Sequence, residues 1–383
     1  MTDQNSIPVF QHDVPLSRHT TIGLGGPARS FIECRSEEEI LQVLGQAARS
    51  GEKIQVLGGG SNLIFSDEGF PGIVLRIALK GIEWEDDGRY VTARVKAGEW
   101  WDEFVQEAIV RGASGIECLS GVPGSCGATP IQNVGAYGQE VRETIVRVRA
   151  IDRRTQTARE FSKEECQFGY RMSRFKAEEK DRWIVTEVTF RLHKNRIESR
   201  TVYPELRRAI EHKAAEAAPD SMPVIALTPE GRFPSSFSTE ADAVRALSFI
   251  RETVLALRKR KSMVYDPSDP NTRSVGSFFM NPIVPPERFD AIAGAWKKKH
   301  PDHPMPSYAS ESGIKIPAAW LIEHAGFSKG YRRGGAGISA NHTLALVNYG
   351  CTTSELLALA DEIKRGVESE FGITLEREAI AVG

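Results

Sequence analysis

The sequence lacks the features that mark several classes of protein. No apolar run approaches the ~18 residues of a membrane span, and the first residues have neither the basic start nor the apolar core of a secretory signal. The net charge is −2, so no overall positive field indicates a nucleic-acid partner. These absences favour an ordinary globular protein of the cytoplasm, and its 383 residues suggest two or three domains.

Cysteine is scarce and scattered along the chain. The five cysteines are odd in number and contain no Cys-x-x-Cys pair: Cys34, Cys118, Cys126, Cys166 and Cys351. This spacing favours free thiols in a reducing compartment, and it suggests neither a disulfide framework nor a zinc site. We therefore expect no bound metal.

Charge is absent from one long stretch, Leu119–Gln139, which contains five glycines and two prolines. A surface loop of this length would ordinarily carry charged residues, and a core strand or helix would not tolerate so much glycine and proline. Peptide N–H groups in such a segment can approach a ligand closely and can hold a diphosphate without a lysine. A well-packed connection between two strands is the alternative interpretation.

A second glycine segment follows a short apolar strand, Ile54–Leu57. The strand runs into Gly58–Gly60 and then into Ser61 and Asn62. No Gly-Lys-Ser/Thr follows, as a P-loop would require, and no amphipathic helix opens at the glycines, as in a Rossmann fingerprint. An anion-binding nest and a tight turn at a strand end both fit. The presence of two such segments in one half of the chain favours a shared ligand.

The first half of the chain mixes strands and helices. Ser36 and Glu39 predict a capping box that opens a helix, and Gly51 ends that helix. A second amphipathic helix is predicted from Trp101 to Gly112. Further strands are predicted at Ala28–Cys34, Gly72–Ile77, Tyr90–Lys96, Val141–Asp152 and Arg182–Leu192, with a short capped helix at Ser162–Gln167.

The second half becomes mostly helical from Arg200 to about Arg260. Helices are predicted to open at Tyr203-Pro204 and after Thr239, and others lie near Pro286–Lys299 and at Ser354–Phe371, whereas Pro219–Phe237 is predicted to be a loop. The basic residues Arg258–Lys261 suit an exposed helix C-terminus. Together the patterns predict an α+β fold with a domain boundary near residue 195.

The motifs, in their order along the chain, resemble those of the UDP-N-acetylenolpyruvoylglucosamine reductase family. The matching segments extend from about residue 18 to the last few residues: LGGGSNLIFSDEGFPG, LSGVPGSCGATPIQNVGAYGQEV, GYRMSRFK, VGSFFMNP, AAWLIEHAGFSKG, SANHTLALVN and LEREAI. The resemblance implies a two-part FAD-binding region of the vanillyl-alcohol oxidase (PCMH) type over residues 18–194. It also implies a C-terminal α+β substrate-binding domain over residues 195–383.

The same resemblance implies bound FAD, with NADPH as the reductant. By matching motif positions, it places the cofactor-binding residues on the two glycine segments and on the residues that follow them: Leu57, Gly58, Gly59, Gly60, Ser61, Asn62, Ser120, Gly121, Pro123, Gly124, Ser125, Ala128, Gly135, Ala136 and Tyr137.

The family's catalytic set falls on Arg171, Ser277 and Glu378. The implied reaction adds a hydride to an enolpyruvyl ether, so negative charge develops beside a carboxylate and needs cations or acids near it. Arg171 would stabilise the oxygens, a protonated Glu378 would donate a hydrogen bond, and Ser277 would protonate the alpha carbon. The implied residues of the substrate or nicotinamide pocket are Tyr203, Arg260, Asn281, Lys329 and His342.

The implied function is the NADPH-dependent reduction of the enolpyruvyl group of a UDP-sugar to give UDP-N-acetylmuramate, by a monomer, in peptidoglycan precursor synthesis. One alternative is a flavin oxidase of the same superfamily that acts on a sugar or alcohol and tethers its flavin through His19 or Cys126. Another is a regulator that binds flavin or a nucleotide sugar without turnover. Taken singly, the three catalytic candidates would be interpreted as exposed surface groups.

Overall fold

The computed structural model describes residues 9–197, 203–216, 227–228, 231–233, 237–310 and 312–383. Two compact units are distinguished by their internal contacts. Unit 1 comprises the described residues of Met1–Val14, Ala28–Gly60 and Pro71–Val264, and unit 2 comprises those of Pro15–Pro27, Ser61–Phe70 and Tyr265–Gly383. Both units combine helices with sheets, so the predicted α+β class is confirmed.

The described chain forms helices and strands in mixed order, with several runs of consecutive strands. The helices are α1 (Glu37–Ser50), α2 (Trp101–Val110), α3 (Pro204–Glu216), α4 (Glu240–Arg260), α5 (Pro286–Lys299), α6 (Ala318–His324) and α7 (Thr353–Phe371). The strands are β1 (Gln11–Pro15), β2 (Pro27–Cys34), β3 (Ile54–Leu57), β4 (Leu63–Phe65), β5 (Phe70–Ile77), β6 (Ile82–Asp86), β7 (Tyr90–Lys96), β8 (Ala113–Ser114), β9 (Gly135–Ala136), β10 (Gln139–Glu140), β11 (Ile145–Asp152), β12 (Ala158–Ser162), β13 (Trp183–Lys194), β14 (Ile283–Val284), β15 (Tyr308–Ser310), β16 (Gly313–Lys315), β17 (Arg332–Arg333), β18 (Ala336–Ile338), β19 (Leu346–Asn348) and β20 (Ile380–Val382). Across the described ranges, no helix has an apolar stretch long enough to cross a bilayer.

Unit 1 contains a four-stranded sheet in the order β1-β2-β5-β3. β3 has the predicted bounds and runs parallel to β5, with Ile54 beside Ile73. The carboxyl ends of these two strands therefore lie at the same edge of the sheet, and the first glycine segment begins at that edge.

Helix α1 begins and ends where the sequence predicts. Ser36 Oγ accepts the N–H of Glu39 at 3.2 Å, and Gly51 ends the helix with φ +71°. The capping box is only half formed, because the Glu39 carboxylate accepts the N–H of Arg35 at 2.6 Å rather than that of Ser36. The apolar face of the helix is buried in the core of unit 1.

A second sheet of unit 1 has the order β12-β11-β13-β7-β6, with β8 also paired to β13. Helix α2 packs on it through Trp101 and Phe104, whose ring centroids lie 5.7 and 5.0 Å from that of Phe190 on β13. The indole N–H of Trp101 donates to the Leu119 carbonyl at 3.1 Å. This packing places the first turn of α2 beside the second glycine segment.

Two predicted elements of unit 1 differ from the structure. β11 begins at Ile145 rather than Val141, because Val141–Glu143 forms a 3-10 turn with its own capping box. The predicted helix Ser162–Gln167 is wrong, since these residues form turns. The N–H of Ser162 donates to the Glu165 carboxylate, and the N–H of Glu165 donates to Ser162 Oγ, as in a capping box. In the described residues at the end of β12, no helix follows this cap.

Helix α4 begins after its predicted cap, Thr239, whose Oγ1 accepts the N–H of Asp242 at 3.1 Å. Helix α3 likewise begins at Pro204. Most of the predicted loop Pro219–Phe237 lies outside the described residues. The predicted boundary near residue 195 stays a prediction; by its contacts α4 belongs to unit 1.

Unit 2 is assembled from three stretches of chain around helices α5, α6 and α7. It contains three-stranded sheets in the orders β14-β16-β15 and β17-β18-β19, and β20 pairs in parallel with β4. The capping box of α7 is formed by Thr352 and Glu355. Asp67 adds a second cap, accepting the N–H groups of Thr353 at 2.7 Å and of Ser354 at 2.9 Å. Unit 2 is thus held together by contacts between distant parts of the sequence.

Candidate functional site

The two glycine segments are in contact within unit 1. A Cβ on Gly58 would lie 2.7 Å from Ser125 Oγ, and a Cβ on Gly59 would lie 2.7 Å from the Cα of Gly124. Both distances are shorter than real Cβ contacts, and at Gly59 the neighbour is main chain that cannot rotate away, so the close approach requires glycine there. The contact is what a ligand shared by the two segments would require.

The first segment offers its peptide N–H groups. Among the described residues, none accepts a hydrogen bond from the N–H groups of Gly58–Gly60. In the second segment the protein itself uses several: the N–H of Cys126 donates to the Glu99 carbonyl at 2.8 Å, and that of Gly127 to the Ala97 carbonyl at 2.9 Å. The first segment is therefore the better nest for an anion, and the second shapes the space around it.

A cavity of about 240 Å³ opens where the segments meet. Gly58, Gly59 and Ser125 line it from the two segments, and Trp100 and Lys80 are among its other walls. Trp100 is 38% exposed, unusually high for a large aromatic residue in this protein. The cavity thus joins both predicted cofactor segments to an accessible aromatic surface.

Substituting Gly59 with alanine should disrupt this junction. The new Cβ would lie 2.7 Å from the Gly124 backbone and 3.0 Å from the Trp100 ring. We expect the affinity for FAD to fall by roughly tenfold, the equivalent of about 1.4 kcal/mol of binding energy, and the FAD content of the purified protein, measured by its visible absorbance, to fall with it. Gly45→Ala, in α1 with its nearest atom at 3.5 Å, is the control and should retain FAD. Full FAD content in Gly59→Ala would contradict the assignment.

Gly135, Ala136 and Tyr137, the last three cofactor candidates along the chain, lie in a tight hairpin. Ala136 of β9 pairs with Gln139 of β10. Tyr137 and Gly138 make the two-residue turn, with φ +48° and +81°, as in a type I′ turn. Burial raises the pKa of Tyr137 to about 12, so its hydroxyl stays protonated.

Arg171 lies against this hairpin. Its Nη2 donates to the Gly135 carbonyl at 2.6 Å, and a Cβ on Gly135 would come within 3.0 Å of its Nη1. Arg171 also has φ +52°, which is uncommon for a residue with a side chain. A backbone in this region at a binding site is a sign of functional constraint. The structure thus places a catalytic candidate in direct contact with a cofactor candidate.

Tyr203 lies at the start of α3 and contacts the same hairpin. Its ring is edge-on to that of Tyr137, with centroids 6.0 Å apart, and is 42% exposed. Lys261 binds Glu205 of α3 at 2.6 Å and lies 5.9 Å from the centroid of Tyr137. A substrate candidate, Tyr203, and a cofactor candidate, Tyr137, are therefore neighbours.

Ser277 and Glu378 are brought together in unit 2. The N–H of Glu378 donates to the Phe278 carbonyl at 2.9 Å, and Phe279 pairs with Arg377 in an antiparallel bridge. Asn62 Nδ2 donates to the Glu378 carbonyl at 3.3 Å. Two catalytic candidates and the last residue of the first glycine segment thus form one cluster, whereas Arg171 belongs to unit 1.

The other substrate candidates have different surroundings. Arg260 and Lys329 are exposed. The Asn281 side-chain oxygen accepts the N–H of Ala318 at the start of α6, at 2.8 Å. His342 is half-buried in the loop that precedes β19, and the carbonyl of Leu344 in the same loop accepts the N–H of Phe278. The loop of His342 is thus bonded to the Ser277 segment, in which Asn281 also lies.

Arg258 is a residue that sequence reasoning missed. It is only 7% exposed, its Nη2 donates to the Met263 carbonyl at 2.9 Å, and its Nε has no hydrogen-bond partner among the described residues. Burial lowers the pKa of its guanidinium. The spacing of the helix could have predicted this burial. Arg258 follows Ile250 and Val254 at intervals of four residues, so it lies on the same buried face.

Two family models match the chain. A model described as an FAD binding domain matches residues 28–160, and one described as UDP-N-acetylenolpyruvoylglucosamine reductase, C-terminal domain, matches residues 267–382. The first range contains both glycine segments, and the second contains Ser277 and Glu378. Arg171 falls between the two ranges.

Full-length relatives and a solved structure agree with these matches. A UDP-N-acetylenolpyruvoylglucosamine reductase from Thermobifida fusca is 42% identical over 378 residues, 98% of each chain. One from Streptomyces coelicolor is 42% identical over 376 residues, 97% of this chain and 90% of that one. The crystal structure of UDP-N-acetylenolpyruvylglucosamine reductase from Thermus caldophilus superposes with a TM-score of 0.61 at 24% identity, covering 98% of this chain and 100% of the other, which supports the fold.

Proposed function

The chain belongs to the UDP-N-acetylenolpyruvoylglucosamine reductase family, and on that premise we propose how it carries out the reaction. It is a flavin oxidoreductase that reduces the enolpyruvyl group of UDP-N-acetyl-3-O-(1-carboxyvinyl)glucosamine to give UDP-N-acetylmuramate, a step of peptidoglycan precursor synthesis. The observation that carries the site assignment is the contact of the two glycine segments at Gly58–Ser125 and Gly59–Gly124. This contact lies within the residues matched by the FAD-binding model.

The two segments fit FAD in their chemistry. The available N–H groups of Gly58–Gly60 suit a diphosphate, and Leu119–Gln139 brings no charged side chain to the cofactor. A fixed cation beside the isoalloxazine would alter the flavin's potential, whereas peptide dipoles can hold the phosphates from a distance. When bound, FAD supplies hydride transfer from a reduced nicotinamide to the substrate, and we assign that reductant to NADPH.

Arg171 stabilises the charge that develops on the substrate carboxylate. Its guanidinium offers a planar, positively charged fork of donors. The bond from Nη2 to the Gly135 carbonyl fixes the orientation of the fork, and guanidinium groups bind carboxylate oxygens through such forks. The support for this role is that an arginine with φ +52° is held against a predicted cofactor residue.

Ser277 delivers the proton, and Glu378 assists beside it. After hydride addition, the substrate carbon next to the carboxylate is strongly basic, so a weakly acidic hydroxyl can protonate it. A protonated Glu378 donates a hydrogen bond to the carboxylate of the dianion, and the Ser277 alkoxide that remains after the transfer regains its proton from water. The support is that the isolated bridge between Phe279 and Arg377, with the bond from the N–H of Glu378 to the Phe278 carbonyl, makes the backbone segments of Ser277 and Glu378 neighbours.

The substrate's sugar and nucleotide parts are assigned to the five remaining candidates. We propose that Tyr203 covers the substrate and that Arg260, Asn281, Lys329 and His342 contact the substrate or the nicotinamide. Tyr203 is the best supported of these, because its exposed ring rests on Tyr137. We further propose that the enzyme works as a monomer in the cytoplasm.

The oxidase alternative is less well supported. Cys126 is fully buried, and burial raises the pKa of its thiol well above the ordinary value. A protonated, inaccessible thiol is a poor nucleophile for attachment to a flavin. If the protein were a regulator without turnover, the proximity of Ser277 and Glu378 would have no chemical purpose.

The proposal is tested with the purified protein. We expect a yellow flavin spectrum, and NADPH oxidation that depends on the UDP-linked enolpyruvyl sugar. Substituting NADH in the same assay tests the choice of reductant. Oxygen consumption driven by a free sugar without NADPH would favour the oxidase, and a protein that cannot take up FAD would refute the proposal.

A further inference from the structure

The carboxylate of Asp102, in the first turn of α2, accepts three hydrogen bonds from two separate parts of unit 1. The N–H of Gly121 donates to Oδ1 at 2.5 Å. Arg251 of α4 donates from Nη1 to Oδ1 at 2.6 Å and from Nη2 to Oδ2 at 2.8 Å. The Arg251 side chain is 13% exposed and that of Asp102 is 38% exposed. The pair is bidentate and partly shielded from water, the geometry in which an Arg–carboxylate pair is strongest.

The charge state of Asp102 follows from these partners. Burial alone would raise its pKa, but the hydrogen bonds from Arg251 and Gly121 outweigh burial and hold the pKa below its ordinary value. The carboxylate is therefore ionised at any pH near neutrality. An ionised acceptor makes shorter and stronger hydrogen bonds to a peptide N–H than a neutral one does.

Gly121, the residue that Asp102 holds, is confined on its other side by α4. A Cβ on Gly121 would lie 2.7 Å from Leu255 Cδ2 and 3.4 Å from Arg258 Nε. Arg251, Leu255 and Arg258 are spaced i, i+4 and i+7, so they share one face of the helix. Gly121 has φ +73°, a conformation that glycine adopts without strain. Its position is thus fixed between α2 and α4.

Gly121 begins the part of the second glycine segment that contacts the first. Three residues later, Gly124 meets Gly59, and Ser125 then meets Gly58. The far end of this stretch is held by main-chain bonds, since the N–H of Cys126 donates to Glu99. At the near end, the N–H of Gly121 is bound by the Asp102 side chain. A change in its bond to Gly121 would shift the residues that line the cavity.

We propose that Asp102, oriented by Arg251, is a positioning residue for FAD: it fixes Gly121 so that the second glycine segment meets the first in the shape that retains the cofactor. Gly121 and Arg251 between them engage both carboxylate oxygens, so we assign Asp102 a role that acts through the segment. The inference rests on the proposed function, because that assigns FAD to these segments. It adds a residue of α2 and a residue of α4 to the determinants of FAD affinity.

The test compares three variants at the pair with a matched pair elsewhere in unit 1. Asp102→Ala removes both interactions, Asp102→Asn keeps an oxygen for Gly121 but loses the ion pair, and Arg251→Gln leaves the carboxylate without its charged partner. The control is Asp152→Ala: Asp152 is also buried, pairs with Arg182 at 2.7 Å and accepts the N–H of Arg154 at 2.8 Å. FAD affinity is measured by titrating apoprotein and following flavin fluorescence, beside the melting temperature of each apoprotein.

We expect Asp102→Ala to raise the Kd for FAD by roughly tenfold or more, the loss of one to two charge-assisted hydrogen bonds. Asp102→Asn and Arg251→Gln should show smaller increases. Asp152→Ala should lower the melting temperature and leave the Kd unchanged. With saturating FAD, Asp102→Asn should recover NADPH oxidation close to the wild-type rate, because the reacting groups are intact.

The outcomes separate this inference from the proposed function. If wild-type protein takes up no FAD, the proposed function fails before any variant is tested. If wild-type protein binds FAD and the Asp102 variants bind it equally well, only the positioning role is refuted. An equal rise in Kd for Asp152→Ala would also refute it, since the effect would then be general destabilisation. Should Asp102→Ala fail to fold, Asp102→Asn and Arg251→Gln decide by the same criterion.

Discussion

Replacing Ser277 with alanine is expected to slow reduction of the enolpyruvyl sugar by roughly 10²- to 10⁴-fold, the range for loss of a positioned general acid. Reduction of the flavin by NADPH should remain fast, because that half-reaction needs no proton from Ser277. The two half-reactions are measured separately by stopped-flow absorbance of the flavin: first with NADPH alone, then by mixing the reduced enzyme with the sugar.

Two further variants sharpen the Ser277 experiment. Ser277→Cys supplies a more acidic group of similar size and should recover part of the lost rate. Ser268→Ala, at an exposed serine bonded to Asp266 in the loop that precedes Ser277, is the matched control and should behave as wild type. If the reduced flavin of Ser277→Ala is oxidised by the sugar at the wild-type rate, another group is the proton donor.

Replacing Arg171 with asparagine is expected to lower the rate of sugar reduction by roughly 10²- to 10³-fold, the usual effect of removing one donor to a developing oxyanion. Asparagine is chosen because it tolerates φ +52° better than most residues do, so the backbone should persist while the charge is lost. The measurement is kcat for NADPH oxidation at saturating sugar, with the flavin content of each sample determined beforehand.

The Arg171 experiment also needs a comparison that separates charge from geometry. Arg171→Lys retains the charge but not the planar fork and should lie between wild type and Arg171→Asn. Arg153 also donates to main-chain carbonyls, those of Asp181 and Ile54, so Arg153→Asn controls for loss of such contacts. An unchanged kcat in Arg171→Asn would remove this residue from the catalytic set.

Local patterns predicted local structure well. The strand Ile54–Leu57, the cap at Ser36 and the stop at Gly51 are confirmed residue by residue, because each depends on interactions within a few positions. The same logic failed at Ser162, where a correct cap is followed by turns instead of a helix. A cap favours the start of a helix, but the next turns need a buried face to continue it.

Long-range features were beyond local reasoning. The contact of Gly59 with Gly124 and the pairing of Phe279 with Arg377 join segments that no periodicity connects. Ser277 and Glu378 were placed together only through the resemblance to a family. Arg258 was predicted to be exposed because of its charge, but it is buried. Here the helical spacing of the buried residues was the better guide. Charge predicts exposure on average, and tertiary packing decides the individual case.

The parallel pairing of β4 with β20 sets an order of events during synthesis on the ribosome. Asn62 and the Glu378 carbonyl, which lie at the start of this pairing, are separated by 316 residues. At a translation rate of roughly 5–20 residues per second, β20 is synthesised on the order of tens of seconds after β4. During that interval an apolar strand edge is open to pairing with another nascent chain. Maturation of unit 2, with its Ser277–Glu378 cluster, therefore depends on β20, which is synthesised long after β4, and chaperone demand should be greatest before β20 emerges.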